Sequence, residues 1–189
     1  MSALPAHAIR RNATNAGTTT GFATPIVGVM TISVRTVTAE DAEAWAALYR
    51  GYRRFYNLPD DAEAVARTWQ WVVGSEHGMV GLVATENDLP VGLANLRWFA
   101  RPSVAAMGLY LDDLFTSPAV RSRGVGRALL NRSAQIAAEG GASVVRWITA
   151  SDNKTARRLY DAVAQATPWV TYDIPPVRSA PVQVSPLYA

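Results

Sequence analysis

The sequence predicts a mixed α/β protein, a sheet with helices packed on its faces, in one domain. Three observations carry that reading. Runs that alternate polar and apolar residues are interleaved with runs whose apolar residues recur every three or four positions. The chain has 189 residues, near the prior of about 150 residues per domain. Its composition, 49% hydrophobic with 17% charged and 9% aromatic, suits a chain that builds a core and excludes a disordered one.

Each element has its own signal. Thr31–Val37 (TISVRTV) alternates as a strand. Thr38, with Asp41 three residues on, marks a helix start, and Ala44, Trp45, Leu48, Tyr49 and Tyr52 form the apolar stripe that follows. Pro59 and Asp60 start a second helix, Asp60 as its N-cap and Glu63 as box partner, with Val65, Trp69 and Val72 as its stripe. Met79–Ala84 and Val91–Trp98 are strands joined around Asn87-Asp88, a hairpin signal. Met107–Thr116 is a longer strand, and Gly124–Glu139 a helix ended by Gly140-Gly141. Ser143–Thr149, Asp152–Ala164 and Trp169–Ile174 complete the order as strand, helix and strand.

Two tails flank this body, expected at 31–174. Residues 1–30 are rich in Ala, Thr, Gly and Asn and read as a flexible extension; Met30 stands directly before the first strand-like run. They hold no continuous apolar stretch after a positive start, so a secretory signal is not expected and a cytoplasmic location is. Residues 175–189, PPVRSAPVQVSPLYA, carry four prolines and read as an extended tail.

Composition closes several function classes. There is no cysteine, which excludes a disulfide scaffold and a cysteine-based metal or redox site. With His7 and His77 as the two histidines, a His-rich metal site is excluded and a Ser-His-Asp triad disfavoured. No run of about 18 apolar residues exists to span a membrane. The net charge is +3, of which Arg10 and Arg11 supply two, so the body is nearly neutral. That argues against broad binding to nucleic acid, which wants a basic face. Lys154 is the only lysine; the other cations are arginines, side chains that fork phosphate oxygens.

The chemistry gathers where a strand meets a helix. Asp112–Leu130 reads DDLFTSPAVRSRGVGRALL, in which Arg121, Gly124 and Gly126 open an amphipathic helix as Arg-x-x-Gly-x-Gly. Glycines let a ligand approach the backbone closely, and a helix N-terminus favours an anion such as a pyrophosphate. Arg121, Arg123 and Arg127 surround the same spot. A dinucleotide fingerprint needs a third glycine where Leu129 stands, and a Walker loop needs Gly-Lys-Ser/Thr, which is absent.

The combined pattern resembles the coenzyme A pyrophosphate loop of the GNAT superfamily of N-acetyltransferases. Asn153, Ala156, Leu159 and Tyr160 in SDNKTARRLYDAV are similar to its second segment. The nearest likeness is to the polyamine, thialysine and histone-type branch, through Tyr110-Leu111-Asp112-Asp113-Leu114-Phe115 and the aromatics Tyr52, Phe55 and Tyr56. Many relatives have Gly where Ser122 stands, and often Gly-Phe near Ala164–Thr167.

The resemblance implies a mostly antiparallel central sheet with about four helices, binding acetyl-CoA as acetyl donor without a metal. Arg121, Ser122, Arg123, Gly124, Val125, Gly126 and Arg127 would hold the pyrophosphate, with Asn153 and Ala156 contacting the cofactor. Leu114, Phe115 and Thr116 would supply backbone N–H groups for the oxyanion. Tyr160 would protonate the leaving thiolate, a phenol with pKa near 10 being a fitting acid, although core packing is its plainer role. Asp112 would orient the amine or draw its proton, directly or through water. Asp112 and Asp113 are adjacent, so a regular strand would send them to opposite faces; a bulge, with both as structural acceptors, is the alternative.

Tyr56, together with Asp112, is the expected contact to a small-molecule or peptide amine, since an aromatic, acidic pocket suits a cation. No nucleic-acid or membrane partner is expected, and a homodimer is a family-level expectation. The reading is direct acetyl transfer to a primary amine. Its rivals are a non-catalytic acyl-CoA sensor of the same fold and a toxin-type enzyme acting on aminoacyl-tRNA.

Overall fold

A computed structural model describes residues 31–176; the expected tail at 1–30 and most of that at 175–189 lie outside the described residues. The first strand, β1 (Ile32–Thr36), leads through a 3-10 turn at Ala39–Asp41 into α1 (Ala42–Phe55). Thr38 and Asp41 close a reciprocal capping box over that turn, the Asp41 carboxylate accepting from the Thr38 N–H at 2.7 Å. The second helix, α2 (Ala62–Val73), is capped by Asp61, which accepts from the Ala64 N–H, and not by Asp60 as expected. Asp61 has the extended backbone of an N-cap, so the helix starts one residue later.

Next come β2 (Met79–Glu86) and β3 (Leu89–Arg101), joined by the two-residue turn at Asn87-Asp88. Both turn residues have positive φ, as the expected hairpin turn requires. Each strand runs further into the turn than the alternation suggested. After β4 (Ala106–Thr116) follow α3 (Val125–Glu139), β5 (Val145–Arg146) and α4 (Lys154–Asp161). The sheet order is β1-β2-β3-β4-β5, antiparallel except for the parallel β4–β5 pair.

Three expectations at the C-terminal end need correction. The strand expected over Ser143–Thr149 is paired only at Val145–Arg146, because β4 and β5 diverge beyond that point. The helix expected over Asp152–Ala164 shortens to α4, whose N-cap is Asn153. No strand forms over Trp169–Ile174; every residue from 161 to 176 is exposed.

The sheet separates two cores. On one face α3 packs Val125, Leu129 and Leu130 against Leu82, Leu96, Leu109 and Leu111. On the other, α1 and α2 pack Trp45, Tyr49, Val65 and Val72 against Val83, Leu93 and Phe115. Strands β2 and β3 are buried on both faces, which is why their middles read as continuous apolar runs instead of alternating ones.

Candidate active site

The site is built where β4 leaves β5. On one side β4 stays paired with β3 as far as Thr116, opposite Gly92; on the other its pairing with β5 stops at Tyr110. From Leu111 onward every second N–H and C=O of β4 therefore faces an opening. Leu114, Phe115 and Thr116 line this stretch with their backbone, while the Phe115 ring turns into the α1 core.

The opening ends at the N-terminus of α3. The first intrahelical bond there runs from the Ala128 N–H to the Gly124 carbonyl at 2.9 Å. The N–H groups of Val125, Gly126 and Arg127 thus have no partner within the helix. Gly124 adopts φ 93°, a left-handed conformation that glycine takes without strain, and Ser122 adopts φ 64°. At Gly126 a Cβ would stand 3.1 Å from Leu159 Cδ2 and 3.8 Å from Thr116 Oγ1, so α4 and the end of β4 both close on the first turn of α3. Three polar N–H groups at a positive helix end, approached by an open strand edge, fit a ligand with a pyrophosphate and an extended amide-bearing arm.

The arginines do not converge on one spot as expected. Arg121 bends back, donating to the Thr116 carbonyl at 3.4 Å, with its guanidinium 5.8 Å from the Phe55 ring centroid. Arg123 reaches the other way and pairs with Glu86 at 3.3 Å. Arg127 projects from the first turn of α3 into solvent. A charge partner and an aromatic face each draw one arginine away from the loop.

For the two aspartates the bulge, the alternative to a regular strand, is what forms. Asn95 lies opposite Asp113 and Leu96 opposite Leu111, so Asp112 is the extra residue of a bulge. Asn95 and Arg97 are two apart on β3 and share a face. Asn95 donates to Asp113 at 2.9 Å, and Arg97 pairs with Asp112 at 2.9 Å. The bulge therefore puts both carboxylates on the α1 face instead of opposite faces. Burial raises both pKa values from the ordinary carboxylate range; the Arg97 hydrogen bond opposes this at Asp112, and hydrogen bonds from Asn95 and Tyr52 oppose it at Asp113.

Tyr160, on α4, closes the arrangement. Its ring packs edge-on against Trp147 at 5.3 Å between centroids. Burial pushes its hydroxyl up to about 12, and Tyr56 adds to the shift. Tyr160, Tyr56, Tyr52, Asp112 and Leu114 line one cleft of about 360 Å³, walled by Trp147–Ala150. A larger hollow of about 550 Å³ lies on the α1 side, between Gly51, Phe55, Phe115, Pro118 and Arg121. It holds neither aspartate nor Tyr160, so the smaller cleft is the better candidate for chemistry. Asn153 and Ala156 stand at the start of α4, where the Asn153 side chain accepts from the Ala156 N–H at 3.3 Å and donates to Thr149 Oγ1 at 3.5 Å.

Among the site residues, the sequence reading missed Asn95 and Arg97. Asn95 is fully buried and bridges the site to α1, accepting from Trp45 Nε1 at 3.3 Å while donating to Asp113. Its signal was present: one amide inside the apolar run GLANL. Arg97 stacks on Tyr110 at 4.6 Å as well as pairing with Asp112. Nothing in its sequence context marked it. Among the described residues no cluster of His, Asp and Glu could hold a metal ion, and no helix is long and apolar enough to cross a membrane.

Comparison with known proteins agrees with this geometry. Residues 45–163 match the Acetyltransferase (GNAT) family. An uncharacterized N-acetyltransferase of Bacillus subtilis, YhfO, is 32% identical over 131 residues, 69% of this chain and 87% of that protein. The D-amino-acid N-acetyltransferase HPA3 of Saccharomyces cerevisiae is 29% identical over 75% of this chain and 89% of its own. A thialysine N-epsilon-acetyltransferase of Caenorhabditis elegans is 26% identical over 68% and 79%. Among solved structures, a probable acetyltransferase superposes with TM-score 0.69 at 20% identity, covering 78% of this chain and 99% of that one.

Proposed function

We propose that this chain, which belongs to the GNAT family of acetyltransferases, moves an acetyl group from acetyl-CoA directly to a primary amine. The acceptor class is a polyamine, a lysine-like amine or a basic peptide. The observation that carries the reading is the single cleft in which Tyr160, Tyr56 and Asp112 meet at the divergence of β4 and β5.

Acetyl-CoA, when bound, supplies the activated acetyl thioester. The N–H groups of Val125, Gly126 and Arg127 would hold its pyrophosphate, with Arg121, Ser122, Arg123 and Gly124 completing the loop. Asn153 caps the start of α4 and, with Ala156, would border the same ligand. The open β4 edge from Leu114 to Thr116 would pair with the extended arm and orient the thioester carbonyl. Tyr56 and the aspartates give the acceptor cleft its aromatic and acidic character, which suits a cationic amine. Asp112, or a water it holds, takes the proton from the amine. Tyr160 is protonated through the neutral range, as any phenol is; burial only extends that range upward, and it gives its proton to the departing thiolate.

The test is calorimetric titration with acetyl-CoA, followed by thiol release across a panel of polyamines, lysine analogues and basic peptides. Saturable binding with release on one class supports the proposal and names the acceptor. Binding without release from any amine would favour a non-catalytic acyl-CoA sensor. A well-folded protein that does not bind overturns the loop assignment.

A further inference from the structure

The acid that lines the cleft already has a cation beside it. Asp112 borders the cleft, and its carboxylate meets Arg97 Nε at 2.9 Å. The Arg97 side chain is 42% exposed and that of Asp112 29%, so both ends of the ion pair stay open to a ligand.

Arg97 is the first member of a row. Across three adjacent strands Arg97 lies opposite Tyr110, and Tyr110 opposite Arg146. Residues paired in this way share a face of the sheet. Aromatic rings hold both guanidiniums there. Arg97 stands 4.6 Å from the Tyr110 centroid and Arg146 5.9 Å from that of Phe99, and the two rings meet edge to face at 6.1 Å. Ile148, two residues beyond Arg146, belongs to the cleft wall, so the row adjoins the site. The row holds two cations and one carboxylate. Asp112 answers Arg97, whereas among the described residues Arg146 is exposed and has no carboxylate partner.

A polyamine would bring more positive charge to this row, and like charges set against each other are repelled. A carboxylate would complete it, in the forked geometry that arginine offers. The adjacent opposite charges of Asp112 and Arg97 also set a spacing. In an α-amino acid the amine and the carboxylate stand on one carbon, so such a molecule lies across the ion pair with each of its charges against the opposite one.

We propose that the acceptor is an α-amino acid modified on its α-amine, the amine meeting Asp112 while Arg97 and Arg146 receive the carboxylate. This narrows the acceptor class and rests on the acetyltransfer reading. The amine nitrogen bonds to the acetyl carbon as the carbon–sulfur bond breaks. The amine proton goes to Asp112 or its water, the departing thiolate takes one from Tyr160, and the acceptor's carboxylate is unchanged. Arg97 and Arg146 are specificity residues: they choose the acceptor by its charge.

The test measures thiol release with racemic alanine, leucine, phenylalanine and lysine, each as free acid and as amide, and with spermidine. Rates are compared per deprotonated amine, because the amine of the amide is the less basic. For at least one side chain kcat/KM of the free acid should exceed that of its amide by about tenfold, the low end for a charge-assisted contact that solvent partly screens. Arg146→Gln should raise KM for that acid about tenfold, keep kcat within about twofold and leave the amide unaffected, a split that a general loss of structure does not produce. Arg146→Lys should keep most of the preference, and Arg97→Gln should also lose it. Amides or spermidine used as well as the acids would overturn the proposal and leave acetyl transfer standing. A preference for the acid that survives both Arg146→Gln and Arg97→Gln would overturn it too. Release from none of these amines would reject the transfer reading, and the proposal with it.

Discussion

At the scale of the residue, the environment of Tyr160 decides what it can do. An unshifted phenol titrates near pH 10 and would lose half its acid form there. Burial holds Tyr160 up to about 12, so the acid form persists beyond the usual range. The rate with saturating acetyl-CoA is expected to rise with pH as the acceptor amine deprotonates, and not to fall again by about pH 10. Tyr160→Phe should lower kcat by about a hundredfold or more while calorimetric acetyl-CoA binding is retained. Undiminished turnover would reduce Tyr160 to its packing on Trp147. The aspartates divide in the same way. Asp112 lines the cleft, whereas Asp113 is held between Asn95 and Tyr52. Asp112→Asn should therefore cut kcat at neutral pH by about a hundredfold, and Asp113→Asn should leave it within about threefold. The reverse pattern in steady-state rates would move the base to Asp113.

At the scale of the element, the entry to α1 shows how one carboxylate serves several partners. Asp41 is buried, accepts two hydrogen bonds from Arg35 at 2.7 Å and caps the Thr38 N–H. The Arg35 hydrogen bonds, with Thr38, hold its carboxyl below the usual carboxylate range against the cost of burial. A depressed folded-state pKa stabilises above the unfolded value of about 3.9 and is lost as pH falls through the folded one. Asp41→Asn should cost about 1–2 kcal/mol at pH 7, discounted because Arg35 is half exposed. That difference should shrink in urea melts as pH falls below the unfolded value of about 3.9. A gap that stays constant with pH would mean that shape, not charge, sets the effect.

This cap was legible because its grammar is local: a Thr and an Asp three apart. The Asn87-Asp88 turn was legible for the same reason. What the pattern did not reveal depends on partners distant in sequence. Ser143–Thr149 reads as a strand along its full length, rich in β-branched and aromatic residues, but its pairing stops where β4 turns away. The bulge at Asp112 is set by register against Asn95 and Leu96, and adjacent aspartates alone do not specify it. The Arg-x-x-Gly-x-Gly entry to α3 was legible from its glycines, whereas the divergent paths of Arg121 and Arg123 follow from Phe55 and Glu86, on other elements.

At the scale of the whole molecule, the two cores share one sheet, and this decides how the protein unfolds. Leu129 is fully buried on the α3 face, far from α1 and α2. Leu129→Ala removes apolar volume from one core and should destabilise by about 3 kcal/mol. The central strands β2, β3 and β4 contribute side chains to both cores, Leu82 to one and Val83 to the other. Neither helical layer can keep its packing once those strands separate. The loss should therefore appear in both cores at once, as one transition with a lowered midpoint and an unchanged denaturant slope. Urea melts followed by far-UV circular dichroism and by tryptophan fluorescence, to which buried Trp45 in the α1 core contributes, should coincide for wild type and variant alike. Separated midpoints in the variant would show that the α1–α2 layer holds the sheet without α3, making the cores independent units on a common sheet.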